Sequence, residues 1–264
     1  MLDLIDVSLT FNKHTVNERK ALDHLNLHLE AGDFMTVIGS NGAGKSTMLN
    51  VISGTYEPDC GQVFIDGKEV TYMKEHRRAA MIGHLFQDPM KGTAPHMTIE
   101  ENLGLAYCRA SGHHPLSLGI RKKEQAYFYE QLKALGLGLE DRMKSEVGLL
   151  SGGQRQALTL MMATIVTPKI LLLDEHTAAL DPKTSEQVMK ITEEIVSRHQ
   201  ITTLMITHNI SNALKYGNKT LVMSEGKAAF ILEGEERKTM SVEKLISLYS
   251  SKTANEFSDR MIFK

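Results

Sequence analysis

The spacing of apolar positions changes rhythm several times along the chain. Residues 1–9 carry enough alternating apolar side chains for a strand. Leu25, Leu27 and Leu29 alternate with Asn26 and His28, as a strand with one wet face does. A polar loop, Asn12 to Lys20, separates the two. The apolar, β-branched run Phe34-Met35-Thr36-Val37-Ile38 then enters a glycine-rich turn, and a helix begins near Lys45 and runs through Asn50 towards a C-terminal glycine, Gly54. Gln62 to Val70 reads as a hairpin turning at Asp66-Gly67. Ile82 to Phe86 is a further strand, closed by Gln87-Asp88-Pro89.

Helical periodicity takes over next. Thr98 and Glu101 form a capping-box pattern that opens a helix over Ile99 to Arg109. A loop with Gly112, His113, His114 and Pro115 follows, and Phe128, Leu132 and Leu135 fall at helical spacing. A helix runs from Ser151 towards Pro168. Ile170-Leu171-Leu172-Leu173 is apolar without interruption, which predicts a parallel strand covered on both faces. Asp181-Pro182 supplies an N-cap and an N1 proline for a helix to about Arg198. Thr203 to Ile206 is another buried strand. Thr220–Ser224 and Ala228–Leu232, joined through Glu225-Gly226, read as an edge hairpin. The pattern predicts an α/β fold with a helical insertion at 88–156, a core from 1–87 and 157–240, and a helical tail over 241–264.

Composition narrows the class. The chain has 264 residues, enough for one large α/β domain with an appended lobe. Its 42% hydrophobic and 23% charged residues are those of an ordinary globular protein. A formal charge of -2 carries no basic excess and argues against a dedicated nucleic-acid binder. Cys60 and Cys108 form neither a metal-ligand spacing nor a disulfide framework, which fits a reducing cytoplasm. His113-His114 lacks a nearby third ligand, so a solvated loop is favoured there over a metal site. Asp3 and Asp6 stand where a signal peptide would be basic, and no apolar run approaches a bilayer span.

The chemistry begins at Gly39-Ser40-Asn41-Gly42-Ala43-Gly44-Lys45-Ser46-Thr47, which matches G-x-x-x-x-G-K-[ST] at every fixed position. Glycines let successive backbone N–H groups converge on phosphate oxygens, and the following helix N-terminus adds partial positive charge. Lys45 can reach the β- and γ-phosphates, and the Ser46 hydroxyl can ligate Mg²⁺. The bland alternative is a tight strand-to-helix connection. Phe11, just before the polar loop, is either core or a stacking platform for a purine.

Four further motifs stand in order: Leu150-Ser151-Gly152-Gly153-Gln154 before a helix, Asp174-Glu175 ending a buried strand, Ala179-Leu180-Asp181, and Ile206-Thr207-His208 at the end of the next strand. With Gln87, this set resembles the nucleotide-binding subunit of ATP-binding cassette (ABC) transporters through about Leu232. The resemblance implies a P-loop NTPase core with a mostly parallel sheet, an N-terminal antiparallel β subdomain and an α-helical signature-motif lobe. It implies that Asp174 acts on Mg²⁺, that Glu175 polarises the attacking water, and that His208 holds the γ-phosphate and water in line. It makes Gln87 the link from Mg²⁺ and water to the lobe. Ser-x-x-Gln also has a local account as a capping box. The family account aims Ser151, Gly152, Gly153 and Gln154 at ATP held by another subunit, with Asp181 nearby, in a head-to-tail dimer around two ATPs. One departure stands out: His176 replaces the proline usual after the glutamate.

On this resemblance the expected activity is Mg²⁺-dependent ATP hydrolysis that drives a separate membrane permease, from the cytoplasmic face of a bacterial membrane. The segment Met90 to Met97 would pass the motion to a permease helix. Phe86-Gln87-Asp88-Pro89, Gly92-Thr93-Ala94-Pro95 and Thr98-Ile99-Glu100-Glu101-Asn102 resemble a bacterial group that works with solute-binding proteins for amino acids or related small molecules. The competing reading is a soluble ABC-type ATPase of iron–sulfur assembly, DNA repair or translation.

Overall fold

The computed structural model describes residues 1–111 and 120–253. The His113-His114 pair and residues 254–264 of the tail lie outside the described residues. In chain order the strands are β1 Leu2–Phe11, β2 Arg19–Leu29, β3 Phe34–Gly39, β4 Cys60–Ile65, β5 Lys68–Glu69, β6 Ile82–Leu85, β7 Ile170–Asp174, β8 Thr202–Ile206, β9 Lys219–Ser224 and β10 Lys227–Glu233. The helices are α1 Lys45–Ser53, α2 Glu75–Arg78, α3 Ile99–Ser111, α4 Lys122–Ala134, α5 Gly152–Thr164, α6 Pro182–His199, α7 Ile210–Lys215, α8 Gly234–Lys238 and α9 Val242–Lys252. Among the described residues no helix is long and apolar enough to cross a membrane. The chain forms two compact units, one from Met1–Arg78 with the chain from Gln200 onward, the other from Ala79–His199.

The first unit holds two sheets. An antiparallel one runs β2-β1-β4-β5. Its register sets Leu2 between Leu29 and Ile65, and Leu4 between Leu27 and Val63, so one face is a buried row of branched side chains. β2 starts at Arg19, inside the stretch expected to be loop, because Arg19 pairs with Phe11. The β4–β5 turn has Asp66 at φ 53 and Gly67 at φ 74, the left-handed pair that a two-residue hairpin turn needs. In the second sheet, β9 and β8 flank β3 in parallel, and β10 pairs antiparallel on the outer side of β9.

β3 is buried along its whole length, which explains its unbroken apolar run. Ile38 lies in a cluster with Ile210, Ala213, Val222, Leu232, Leu245 and Tyr249, so α9 shares, by way of α7, the core of the strand that feeds the phosphate loop. α1 ends at Gly54, φ 86. Beside that end sits the fully buried guanidinium of Arg78. It donates to the carbonyls of Val51 and Ile52 at 2.8 Å each, Thr71 at 2.8 Å and Met73 at 2.7 Å. A cation in the core is tolerated because its donors meet four backbone carbonyls, two of them in the last turn of α1.

In the second unit β6 and β7 pair in parallel, from Ile82↔Ile170 to Leu85↔Leu173, and Ile170 to Leu173 are fully buried. α5 packs against β6, α3, α4 and α6. The Thr98–Glu101 capping box is present: Glu101 accepts from the Thr98 backbone at 2.8 Å, and Thr98 accepts from the Glu101 backbone at 3.3 Å. The buried Asn102 amide exchanges hydrogen bonds with both backbone groups of Ala94 at 2.8 and 3.0 Å, which pins the segment before α3. Phe128 and Leu132 of α4 are buried, as their spacing predicts.

Candidate functional site

In the first unit, β3 delivers Gly39 into the glycine-rich turn and α1 leaves it at Lys45. Two of its glycines are required by close approach. A Cβ at Gly39 would lie 2.2 Å from the Met223 carbonyl oxygen, and one at Gly44 would lie 2.4 Å from that of Ala21. Gly44 is also the N-cap of α1, at φ 98, and brings no side chain to cap the first turn. The Gly226 N–H donates to the Ala43 carbonyl at 3.0 Å, tying the loop to the β9–β10 turn. Lys45 is buried, and its ammonium donates to the carbonyls of Gly39 at 2.7 Å and Ser40 at 3.0 Å. It is therefore folded over the loop that it closes. Ser46 is exposed and Thr47 half-buried at the start of α1, while Ser40 is half-buried and Asn41 exposed in the turn.

β8 runs parallel to β3 with Val37 opposite Ile206, and the Thr207 N–H donates to the Val37 carbonyl at 3.2 Å. His208 consequently leaves this sheet at the same end of the strands as Gly39. Immediately after it, Asn209 caps α7 by accepting from the Asn212 N–H at 2.9 Å. α7 itself escapes the sequence pattern, being only six residues long. Phe11 is half-buried and meets Tyr56 edge-on, centroids 5.3 Å apart at 77°. It is thus neither a fully buried core residue nor isolated. Sequence reasoning misses Arg19, whose Nη2 donates to the Gly42 carbonyl at 2.8 Å. Nothing local signals a contact between residues that far apart in the chain.

The second unit holds the carboxylates. β7 ends at Asp174, and Glu175 follows in the left-handed region at φ 47, so the bend needed to bring consecutive acids to one end of the strand is present. The Ala178 N–H donates back to the Glu175 carbonyl at 2.9 Å, tightening that turn. Because Leu85 pairs with Leu173, Gln87 and Glu175 each lie two residues beyond a matched pair. The Gln87 amide nitrogen donates to Glu175 Oε2 at 3.1 Å.

His176, in the place of the usual proline, is buried. Its Nε2 lies 3.4 Å from the Thr192 hydroxyl, which itself donates to the Val188 carbonyl at 2.8 Å. The hydroxyl hydrogen is spent on Val188, so any hydrogen between the two must come from the imidazole. Burial pushes the His176 pKa down to about 4, leaving it neutral.

Ser151 caps α5 and completes the local box with Gln154, each accepting from the other's backbone N–H at 3.3 Å. Its two glycines differ. Gly152 is exposed, whereas Gly153 is buried against α6, where a Cβ would stand 2.2 Å from Thr184 Cγ2. Asp181 Oδ1 accepts from the Thr184 N–H at 3.1 Å and so caps α6; contact with Thr184 holds its carboxyl below the usual range. Phosphate loop and His208 thus belong to one unit, and Gln87, Asp174, Glu175, Ser151 and Asp181 to the other.

Residues 22–178 match the family described as ABC transporter. The tyrosine transport ATP-binding protein of Clostridioides difficile is 39% identical over 249 residues, covering 94% of this chain and 98% of that protein. Methionine import ATP-binding protein MetN 2 of Oceanobacillus iheyensis is 38% identical, over 79% of this chain and 58% of its own length. Among solved structures, a dimeric bacterial ABC transporter cassette matches with a TM-score of 0.76 at 28% identity, over 88% of this chain and 98% of that one. A dimeric cassette in a post-hydrolysis state bound to ADP and Pi matches over the same shares at 28% identity, with a TM-score of 0.74. The motif order, the strand-end acids and these similarities lead to one conclusion: the chain belongs to the ABC transporter family, as one of its ATP-hydrolysing, ATP-binding subunits.

Proposed function

We propose that two copies of this chain close around two ATP molecules and that hydrolysis there powers a separate permease importing a small amino-acid-like solute. The Gln87–Glu175 hydrogen bond carries the proposal, because it holds the carboxylate at the mouth of the β6–β7 pair. In the proposed mechanism the backbone N–H groups of residues 39–47 and the Lys45 ammonium bind the triphosphate, with Phe11 against the base. The Glu175 carboxylate orients a water and takes its proton as oxygen attacks the γ-phosphorus and ADP leaves. His208 donates to the γ-phosphate oxygens. Gly152 and the N-terminal turn of α5, capped by Ser151 and Gln154, face the γ-phosphate of the partner's ATP, with Asp181 lining the same approach.

Among the described residues no group of three or more His, Cys, Asp or Glu side chains gathers to hold a metal. Ser46, Asp174 and Gln87 nevertheless offer hydroxyl, carboxylate and amide oxygens, the donor chemistry that suits Mg²⁺ alongside phosphate and water. Gln87 fits this role because its nitrogen, not its oxygen, is used on Glu175. When bound, Mg²⁺ supplies charge neutralisation on the β- and γ-phosphates.

The tyrosine transport relative, similar over nearly its whole length, supports the solute class. A permease partner, a place at the cytoplasmic face of the membrane and an extracytoplasmic solute-binding protein belong to this reading. Two measurements test it. Glu175→Gln should lower ATP turnover by about 100-fold or more while ATP still binds, and should form a dimer with ATP by light scattering. Unchanged turnover removes Glu175 from the role. The intact chain should co-purify with a polytopic membrane protein, and its loss should abolish uptake of labelled tyrosine or a related amino acid. Retained uptake and no such partner would refute the transport assignment.

A further inference from the structure

Arg19 opens β2 directly opposite Phe11 on β1, and paired residues of antiparallel strands project to the same face. Its side chain crosses to the phosphate loop, where Nη2 donates to the Gly42 carbonyl at 2.8 Å. Gly42 is exposed, at φ 83, and a Cβ there would lie 2.3 Å from Arg19 Nη2, so the guanidinium fills the space that the missing side chain leaves. A guanidinium has five N–H donors in one plane. Among the described residues its side chain has this one hydrogen-bond partner, and no carboxylate pairs with it. The cation is therefore fixed to the rim of an anion-binding turn with most of its donors uncommitted.

We propose that Arg19 is a phosphate ligand of the bound nucleotide. One donor grips the loop through Gly42, and the remainder of the fork reaches a phosphate oxygen of the triphosphate that the loop cradles. This rests on the nucleotide reading above and adds a residue outside every motif that led to it. Phosphate is favoured over the purine face because the guanidinium is anchored to loop backbone, while the Phe11 ring engages Tyr56. Arg19 thereby supplements Lys45 with a second, permanently charged donor set, approaching from β2 rather than from α1.

The test measures equilibrium binding of ATP and of inorganic triphosphate to the full chain, comparing wild type with Arg19→Gln, Arg19→Lys and Lys45→Ala. Arg19→Gln should weaken both ligands about tenfold, Arg19→Lys less, and the deficit of Arg19→Gln should shrink as KCl is raised. Affinity within about twofold of wild type overturns the proposal. So does weakened ATP with unchanged triphosphate, which would mean contact with the base. A deficit that ignores salt also overturns it, since that marks a role in holding Gly42 alone. Wild type failing to bind ATP would instead sink the nucleotide reading itself. Loss in Lys45→Ala with none in Arg19→Gln would sink only this proposal.

Discussion

Gly153 lies so close to Thr184 that a Cβ on it would stand 2.2 Å from the threonine Cγ2. Of the two signature glycines, this one is accounted for by packing within its own unit. Gly152 is not: its nearest neighbour would be Leu180 Cδ2 at 3.3 Å, the end of a flexible side chain. Gly153→Ala is therefore expected to destabilise the chain by about 1–3 kcal/mol. Gly152→Ala should leave the melting temperature almost unchanged and weaken ATP-driven dimerisation. Thermal unfolding and light scattering on the two variants separate the roles.

Arg78 offers a sharper stability test. Replacing it with methionine keeps bulk but leaves the Val51, Ile52, Thr71 and Met73 carbonyls without the donors that they have now. The expected cost is about 3 kcal/mol or more, read by urea unfolding. Lysine should recover little of it, because one ammonium cannot reproduce the planar fork.

Acid should weaken the fold through its buried imidazoles. Burial depresses both His84 and His176 to about 4. Between pH 7 and 5 the unfolded chain takes up protons near the ordinary histidine value of 6.5 while the folded sites stay neutral. Stability thus falls as pH drops through that window. His84, whose Nε2 is buried with no hydrogen-bond partner among the described residues, should contribute on the order of 1–2 kcal/mol of the loss. Unfolding of His84→Leu at the two pH values should show a flatter dependence by that amount.

Chelation separates binding from chemistry. Removing Mg²⁺ with EDTA should stop hydrolysis yet leave measurable ATP binding through Lys45 and the loop backbone. Asp174→Asn should raise the Mg²⁺ concentration needed for half-maximal turnover, and Glu175→Gln should not restore activity at any Mg²⁺ level. Titrating turnover against Mg²⁺ in each variant checks both.

Much of this architecture was legible from local chemistry. Asp66-Gly67 announces its turn because few other residues tolerate two left-handed positions in succession. Thr98 with Glu101, and Asp181 before Pro182, announce helix starts because orphan N–H groups need acceptors. The run from Ile170 to Leu173 reads as doubly covered because no polar side chain interrupts it. What escaped was long-range or contrary to hydropathy. Arg78 is a charge in the core, and only the carbonyls around it make that tolerable. β2 begins within a polar stretch because Arg19 finds Phe11 across the ladder. The candidate site residues stand in the sequence as an ordered set of motifs, but the Gln87–Glu175 contact follows from the parallel register of β6 and β7, which no single motif encodes.

Leu245 and Tyr249 of α9 share one buried cluster with Ile38, which ties α9, through α7, to the strand that enters the nucleotide turn. Shortening the chain ahead of Val242 would remove Leu245 and Tyr249 from the cluster that holds Ile38, so damage there would be felt as slack in the grip on ATP. Sequence distance and mechanical distance are opposites here: Ile38 and Leu245 stand some two hundred residues apart along the chain yet belong to one buried cluster.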